Sequence, residues 1–565
     1  MKKIIFAIFF ILNFAGIAIA EERSEQEIIN AAKQVLIPSG LHNRISINGD
    51  ISILRKDEQL SVVGYEDGRL VFIANDDLFD AVLGYTDEPV TGELPPAMKW
   101  WMKAMNESLA TYLINGKALK DSRPAPVYSE AIEPMITTKW DQGTPYNNLC
   151  PEYKENNIKK RYVTGCVATA MSQVMNYHQW PIKGKSSHSY YLYDENGTRT
   201  RLFANFGNTT YDWANMLDVY NKNVSYTTEQ AKAVSTLMYH CGVAVDMSYA
   251  KDGSGAYTKD ASIALKKYFD YHQDIRTYYR DVIHVDEWMD MVYRELNDKC
   301  PILYGGSRKD GGHAFVLDGY NASGKVHVNW GWSGSGDGYF DIAKLDGYTQ
   351  IQEMVVVRKP DDTRYSKKFA STWGLLHPLT AKLVLNKITL STTGLASFCE
   401  ENFNGYIGIM VMDTITKKAE LLGKYEQKIS DFPYGYGYSQ FSVSASLGNL
   451  KDGTYRVYLG SLDDKDTEWQ AVRSKEDVCN SYILVKEGAQ ATLTAEKSSK
   501  WIYDIITSID EIENTSNNEE GTIRVYDLSG KQVYVSDVKK FQIDNIPATG
   551  VLIIRNGSLV KKIIK

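Results

Sequence analysis

Cys166 opens the run Gly165-Cys-Val-Ala-Thr-Ala-Met-Ser-Gln-Val-Met-Asn-Tyr-His-Gln-Trp-Pro181, and its place there decides what it could do. Apolar residues at 167, 170, 171, 174 and 175 recur at helical spacing and Pro181 follows, so the pattern predicts a helix that begins at the cysteine. Free backbone N–H groups and the positive end of the dipole favour a thiolate at such a position. Gly165 in front of it lets another backbone come close. A thiolate nucleophile also needs a base that can later protonate a leaving amine. Gly311-Gly-His313-Ala-Phe-Val-Leu-Asp-Gly319 offers an imidazole at the start of an apolar strand. Val326-His-Val-Asn329-Trp330-Gly-Trp332 reads as the return strand of a hairpin centred near residue 322. That register puts Asn329 or Trp330 opposite His313, where an amide could hold the ring by its second nitrogen. Upstream, Gln142 stands in the Gly/Pro loop Trp140-Asp-Gln-Gly-Thr-Pro-Tyr-Asn147, suited to donate to an oxyanion together with the Cys166 N–H.

A lone cysteine is more often a small packed hydrophobe than a nucleophile, and only the company of His313 and Gln142 reverses those odds. His178 is a rival base, but twelve residues along a helix at about 1.5 Å each put it some 18 Å from the thiol, which suits packing or capping. His240 and Cys241 are adjacent on a helical pattern and so point in different directions. The six cysteines, at 150, 166, 241, 300, 399 and 479, show no C-x-x-C and no Cys/His metal spacing, so neither a metal nor a cofactor is expected. A pairing of Cys399 with Cys479 stays open.

These residues must be positioned by a larger scaffold. The chain has 565 residues, enough for several domains, with 43% apolar and 24% charged residues, ordinary globular usage. Its formal charge of −7 lacks the basic footprint of a nucleic-acid binder. Lys2-Lys3, the apolar run from Ile4 to Ala20 and the closing Ala18-Ile-Ala predict a cleaved signal peptide over 1–20. No other run is long and apolar enough for a membrane span, so none is expected in the mature chain. Gln26 to Leu36 has helical spacing, short strand-like runs follow at Leu60 and Leu70, and Pro95 to Leu113 reads as a helix. A proline-punctuated segment from Asp121 to Pro134 suits an exposed linker. From about 380 to 500, the runs Ala381 to Leu390, Tyr406 to Met412, Tyr455 to Leu459 and Tyr482 to Val485 predict a β-sandwich. Beyond an acidic, polar stretch from Asp510 to Glu520, residues 521–565 carry eight basic and three acidic residues and three short strand-like runs.

Gln142 before Cys166 before His313 before Asn329 is the chain order of papain-like sites. The motifs Gln142-Gly-x-Pro-Tyr-Asn, Gly165-Cys-Val-Ala-Thr-Ala-Met, Gly311-Gly-His-Ala-Phe-Val-Leu-Asp-Gly and Val328-Asn-Trp-Gly-Trp closely resemble the streptopain-type family of secreted cysteine peptidases. The resemblance covers residues 135 to 360 strongly and 25 to 115 more weakly, the latter as that family's inhibitory propeptide. It implies an α+β fold with a papain-like peptidase domain over 126–360 behind a propeptide over 21–125, and the β-sandwich module predicted from the strand pattern follows over 375–508. It implies Cys166 as nucleophile, His313 as general base and acid, and Gln142 as oxyanion donor, with Asn329 and Trp330 flanking the histidine. Ser254, in Asp252-Gly-Ser-Gly-Ala, and Gly312 match positions where the family holds substrate backbone. Protein and peptide substrates, hydrophobic preference at the second residue before the scissile bond, and the chain's own propeptide as inhibitor are implied likewise. Residues 521–565, with Val525-Tyr-Asp-Leu-Ser-Gly-Lys-Gln-Val and the terminal Lys-Lys-Ile-Ile-Lys, resemble the sorting domain of the type IX secretion system. That implies a Gram-negative host, export through the periplasm and that system's machinery as a partner.

Two other functions compete with a secreted zymogen. A transglutaminase-like acyl transferase could use the same thiolate, because pocket shape decides between water and an amine as acceptor. A surface adhesin could rely on the β-rich C-terminal half, but then Gln142, Cys166, His313 and Asn329 would serve no purpose.

Overall fold

The computed structural model describes residues 21–37, 51–90, 92–114, 130–193, 197–251, 253–308, 311–345, 351–362 and 373–497, with the strands between 522 and 564. The signal segment, the acidic stretch at 510–520 and most of the proline-punctuated linker lie outside the described residues. Helix α1 (Glu25–Leu36) starts where Ser24 and Glu27 form a reciprocal capping box, and packs Ile28, Ala32 and Leu36 on a sheet. That sheet begins with β1 (Ser52–Lys56), β2 (Leu60–Gly64), β3 (Leu70–Ala74) and β4 (Val82–Thr86), followed by α2 (Pro96–Ile114). After two hairpin strands β5 (Glu152–Glu155) and β6 (Ile158–Arg161) comes α3 (Cys166–His178), then the hairpin β7 (His188–Tyr193) and β8 (Arg199–Ala204), α4 (Thr228–Ala244) and α5 (Thr258–Tyr268). Strand β9 (Thr277–Tyr279), α6 (Val285–Asn297), β10 (Ile302–Arg308), β11 (Gly311–Tyr320), β12 (Val326–Asn329), β13 (Gly338–Phe340) and β14 (Ile351–Val356) complete the unit.

Sequence reading treats the N-terminal unit as separate, but the structure joins it to the rest in one antiparallel sheet. Ten strands run in the order β1-β2-β3-β4-β13-β12-β11-β10-β14-β9. The seam is β4 against β13, with Gly84 paired to Phe340 and Thr86 to Gly338. Gly338 has to be glycine there, since a Cβ would lie 2.3 Å from the Tyr85 carbonyl oxygen. The core crosses the same seam: Phe72, Trp100, Trp101, Phe315, Trp330 and Phe340 belong to one apolar cluster. The Trp101 indole donates to Asp341 O at 3.0 Å. Periodicity could not reveal this, because edge pairing uses backbone groups that every strand has.

The two faces of the sheet carry different helices. Tyr304, Phe315, Leu317 and Met354 face the cluster that contains α2 and α6, while Leu303, Val316 and Val355 face α3, α4 and α5. Helix α3 is buried on every side from Val167 to Met175, not only along the expected stripe, because it runs between the sheet and α4. Gln179 in the left-handed region ends it.

Residues 373–497 form antiparallel sheets around Ile388, Leu390, Ile407, Val411, Val457 and Leu484. The run Ala381 to Leu390 is a hairpin that turns at Leu385. This sheet-rich region is braced on the rest by buried ion pairs of Arg473 with Glu287 and Arg280 with Glu476. Tyr279 on β9 meets Phe398 and Tyr434 at ring distances of 5.4 and 5.2 Å. The strands Thr522–Asp527, Gln532–Asp537, Val551–Asn556 and Leu559–Ile564 make a further four-stranded sheet.

Candidate active site

Cys166 is the first residue of α3, and its N-cap Gly165 has φ +89, a conformation that favours glycine. A Cβ on Gly165 would also lie 2.6 Å from Met247 Sδ and 3.0 Å from Ser254 O. Nothing larger fits between the helix start and the Ser254 loop. Backbone N–H groups of Ala314, Val167 and Cys166 itself favour the thiolate, but burial outweighs them and pushes the thiol above its ordinary value. Helix α3 packs on β11, and Cys166 joins the cluster that holds Ala314, the residue after His313.

His313 lies on β11 opposite Gly306 on β10. Alternation along β11 groups His313 with Phe315 and Leu317 on the face toward α2, and Ala314 with Val316 on the face toward α3. Trp100 of α2 sits against Gly306, 2.1 Å from where a Cβ would be. Glu107, further along α2, binds the Arg308 guanidinium through two hydrogen bonds and so grips the same hairpin. Burial lowers the His313 imidazole below its ordinary value. Among the described residues no hydrogen bond joins it to Cys166.

The Gln142 loop is held beside the nucleophile by its main chain, where the Thr164 N–H donates to Gln142 O at 3.1 Å. Ser333 Oγ donates to Asp141 Oδ2 at 2.7 Å and ties that loop to the segment after Trp332. Ser254 Oγ donates to Val163 O at 2.7 Å, so this side chain braces the loop and only the main chain there is left for a ligand. Gly312 is exposed beside His313.

The expected hairpin register is corrected. Asn329 pairs with Val316, not with His313, because the turn closes between Asn321 and Lys325 and is centred on residue 323, which alone would put Asn329 opposite Leu317; the irregularity between Leu317 and Gly319 moves it by one residue, to Val316. Asn329 Oδ1 accepts from Gln173 Nε2 and from the Gly331 N–H, both at 3.0 Å, and its Nδ2 donates to Thr138 O at 2.9 Å. Trp330 Nε1 donates to Gly336 O at 2.9 Å, and the ring packs on Phe315 and Phe340. Both side chains are thus engaged in holding the site's scaffold. Sequence reasoning missed Gln173 and Thr138; the available signal was a glutamine two turns after Cys166 within an apolar helix.

The rival groups lie in the core. His178 Nδ1 shares a hydrogen bond with the Tyr271 hydroxyl at 3.2 Å, and burial lowers it to about 4. His240 Nδ1 does the same with Tyr211 at 3.0 Å. Cys241 lies 3.6 Å from Met175 Sδ, its thiol pushed up to about 12 by burial. Among the described residues none of the six cysteines forms a disulfide, Cys399 and Cys479 included. Among the described residues no cluster of histidine, cysteine and carboxylate side chains could hold a metal, and no helix is long and apolar enough to cross a membrane.

The profile of the peptidase C10 family matches residues 140–340. The chain is 33% identical over 323 residues to thiol protease/hemagglutinin PrtT of Porphyromonas gingivalis, a match that covers 53% of this chain and 36% of PrtT. It therefore spans only about a third of that relative's length. To streptopain of Streptococcus pyogenes it is 29% identical over 343 residues, covering 56% of this chain and 84% of streptopain. Among solved structures, a prointerpain A fragment of Prevotella intermedia superposes with a TM-score of 0.50 at 39% identity, covering 56% of this chain and 99% of the fragment. With the thiol at a helix start, the imidazole on the adjoining strand and these relatives, the chain belongs to the peptidase C10 family of cysteine peptidases.

Proposed function

We propose that the chain is a secreted cysteine endopeptidase made as a zymogen, in which Cys166 attacks the scissile carbonyl and His313 takes up and returns the proton. Gln142 and the Cys166 N–H donate to the oxyanion, and the substrate backbone lies along Gly312 and the main chain at Ser254. The observation that carries this reading is Cys166 at the start of α3, a helix packed against the strand β11 that bears His313.

In the chain as folded here, burial keeps the thiol and the imidazole neutral, and α2 covers the sheet face that His313 shares with Phe315. This supports latency through the N-terminal unit over 21–125. Activation then requires a cut in the linker, departure of α2 and movement of His313 to the thiol, where the two can form an ion pair. The small sheet over 522–564 supports a separate sorting unit read by type IX secretion machinery, with export through the periplasm of a Gram-negative host.

Peptide hydrolysis by the cleaved chain, with and without an added amine, tests the reading. Labelling by an epoxide thiol reagent that is lost in Cys166→Ala, together with hydrolysis as the main product, is the expected result. Amide transfer as the main product would assign an acyl transferase instead.

A further inference from the structure

The two most exposed large apolar side chains among the described residues, Leu385 at 93% and Ile415 at 87%, both stand at turn tips of the sheet-rich C-terminal region. Leu385 lies between the strands Thr380–Val384 and Lys387–Thr392, and Ile415 between Phe403–Asp413 and Ala419–Lys424. Local conformation does not call for an aliphatic residue at either place. Leu385 has φ +52, a backbone region where glycine or asparagine costs less than a bulky side chain. At the other tip Asp413 sets the turn by accepting from the N–H groups of Ile415 and Thr416 at 2.9 and 2.8 Å, so the turn does not depend on the isoleucine side chain.

Both tips lie at one end of the region. The Leu447 N–H donates to Asn386 O at 2.8 Å and the Thr414 N–H donates to Thr454 O at 3.1 Å, so the short link from Leu447 to Gly453 bridges the two turns. A third turn, at Gly488, is tied to that link through Asp452 Oδ1, which accepts from the Gly488 N–H at 2.9 Å and from Lys486 Nζ at 3.0 Å. The peptidase unit is held at the opposite end. There the strand Phe403–Asp413 starts, with Phe403 packed on Trp373 at 5.2 Å, next to the bridge of Gly374 to Arg473, the partner of Glu287.

Lys387, Lys417, Lys418 and Lys451 are exposed around the tips, and Lys382 is exposed two residues before Val384. Of the acids at this end, Asp413 and Asp452 are engaged in the turns, and Glu420 and Glu487 are outnumbered by the five lysines. The local sign thus opposes the chain's overall −7. A protein partner needs a continuous patch of roughly 800 Å² with a packed anchor at its centre, which single aliphatic tips on different turns do not offer. A bilayer surface needs no complementary pocket. Isolated aliphatic side chains enter its head-group layer while lysines around them meet its anionic charge.

We propose that this end of the C-terminal region docks the protein on a bilayer surface rich in anionic phospholipid, with Leu385 and Ile415 inserted and the surrounding lysines against the head groups. The contact leaves the peptidase unit on the side away from the lipid. The proposal goes beyond the peptidase reading and does not depend on it, because no residue of the Cys166 site takes part.

Flotation of the uncleaved chain with vesicles tests it, one set made of phosphatidylcholine alone and one of phosphatidylcholine and phosphatidylglycerol in equal parts. Binding to the anionic set, weakened by salt, is expected. Leu385→Asn and Ile415→Asn should each weaken it about tenfold, the scale of burying one aliphatic side chain. Lys417→Glu combined with Lys418→Glu should weaken it by more, and this surface variant carries the test if an aliphatic variant does not fold. Leu385→Asn should melt no lower than the wild type, since asparagine tolerates the left-handed backbone. Peptide hydrolysis by the cleaved chain should be unchanged in every variant. No binding to the anionic vesicles, equal binding to both sets, or equal binding by wild type and variants overturns the proposal. Self-association of the chain that Leu385→Asn abolishes would overturn it too and assign this end to a second copy.

Discussion

Gln173 Nε2 donates to Asn329 Oδ1 at 3.0 Å, and this amide pair fastens the nucleophile's helix to the strand that follows the histidine's. Gln173 Oε1 accepts from Thr138 Oγ1 at 3.0 Å and Asn329 Nδ2 donates to Thr138 O, so three chain segments close one buried ring. Gln173 is fully buried and Thr138 and Asn329 nearly so, which makes any lost partner costly.

Gln173→Ala and Asn329→Ala should each destabilise the peptidase unit by about 1–3 kcal/mol, the cost of leaving a buried polar group unsatisfied. The double variant should lose less than the sum of the two, because the second change removes the group that the first stranded. Urea unfolding followed by tryptophan fluorescence measures both. Strict additivity would mean that the amides act independently.

Cys166→Ala and His313→Ala should each abolish peptide hydrolysis in the cleaved chain, since thiolate and imidazole act as a unit. Cys241→Ala should retain it, because that thiol contacts only core side chains. Gln142→Ala should lower kcat by roughly 10² to 10³ fold, as loss of an oxyanion donor does. Full activity in Cys166→Ala would remove the basis for the mechanism.

Alkylation of Cys166 in the uncleaved chain should be slow at pH 7 and accelerate about tenfold per pH unit up to the raised thiol value, since only the thiolate reacts. The sign follows from burial, which favours the neutral thiol. Cleavage and removal of residues 21–125 should increase the rate at pH 7. Glu107→Ala, which removes two hydrogen bonds between α2 and Arg308, should raise it partway in the uncleaved chain. Equal rates at pH 7 before and after removal would argue against latency at the thiol. Residues 21–120 added back should inhibit the cleaved enzyme.

Arg473→Ala should destabilise the peptidase unit by about 3–5 kcal/mol, because it removes the buried guanidinium that pairs with Glu287 in α6. The expected readout is one cooperative denaturant transition at a lower midpoint for the peptidase and sheet-rich regions together. Two independent transitions in the wild type would show that the C-terminal region is only tethered.

Deletion of 521–565 should leave peptide hydrolysis intact and misplace the protein. That segment lies beyond the acidic stretch and far along the chain from His313. Cell fractionation should find the truncated chain in the periplasm, and mass spectrometry should find the exported form without its tail. Normal yield in the medium would discard the sorting role.

The sequence by itself determined the chemistry. A cysteine that starts an amphipathic helix, a histidine that starts an apolar strand and a glutamine in a Gly/Pro loop are local patterns, and local patterns survive in one dimension. It also determined most elements, from α1 at Glu25–Leu36 to the strands of the C-terminal half. Only the tertiary structure decided how they meet. The pairing of β4 with β13 depends on backbone groups that carry no residue signature, so one sheet looked like two units. A turn centred on residue 323, together with one irregularity in the β11–β12 hairpin, puts Asn329 opposite Val316 instead of His313, because register is the sum of turn position and bulges and a small shift re-addresses every pair. Whether Asn329 holds the imidazole or Gln173 depends on contacts between residues far apart in the chain, which spacing does not encode.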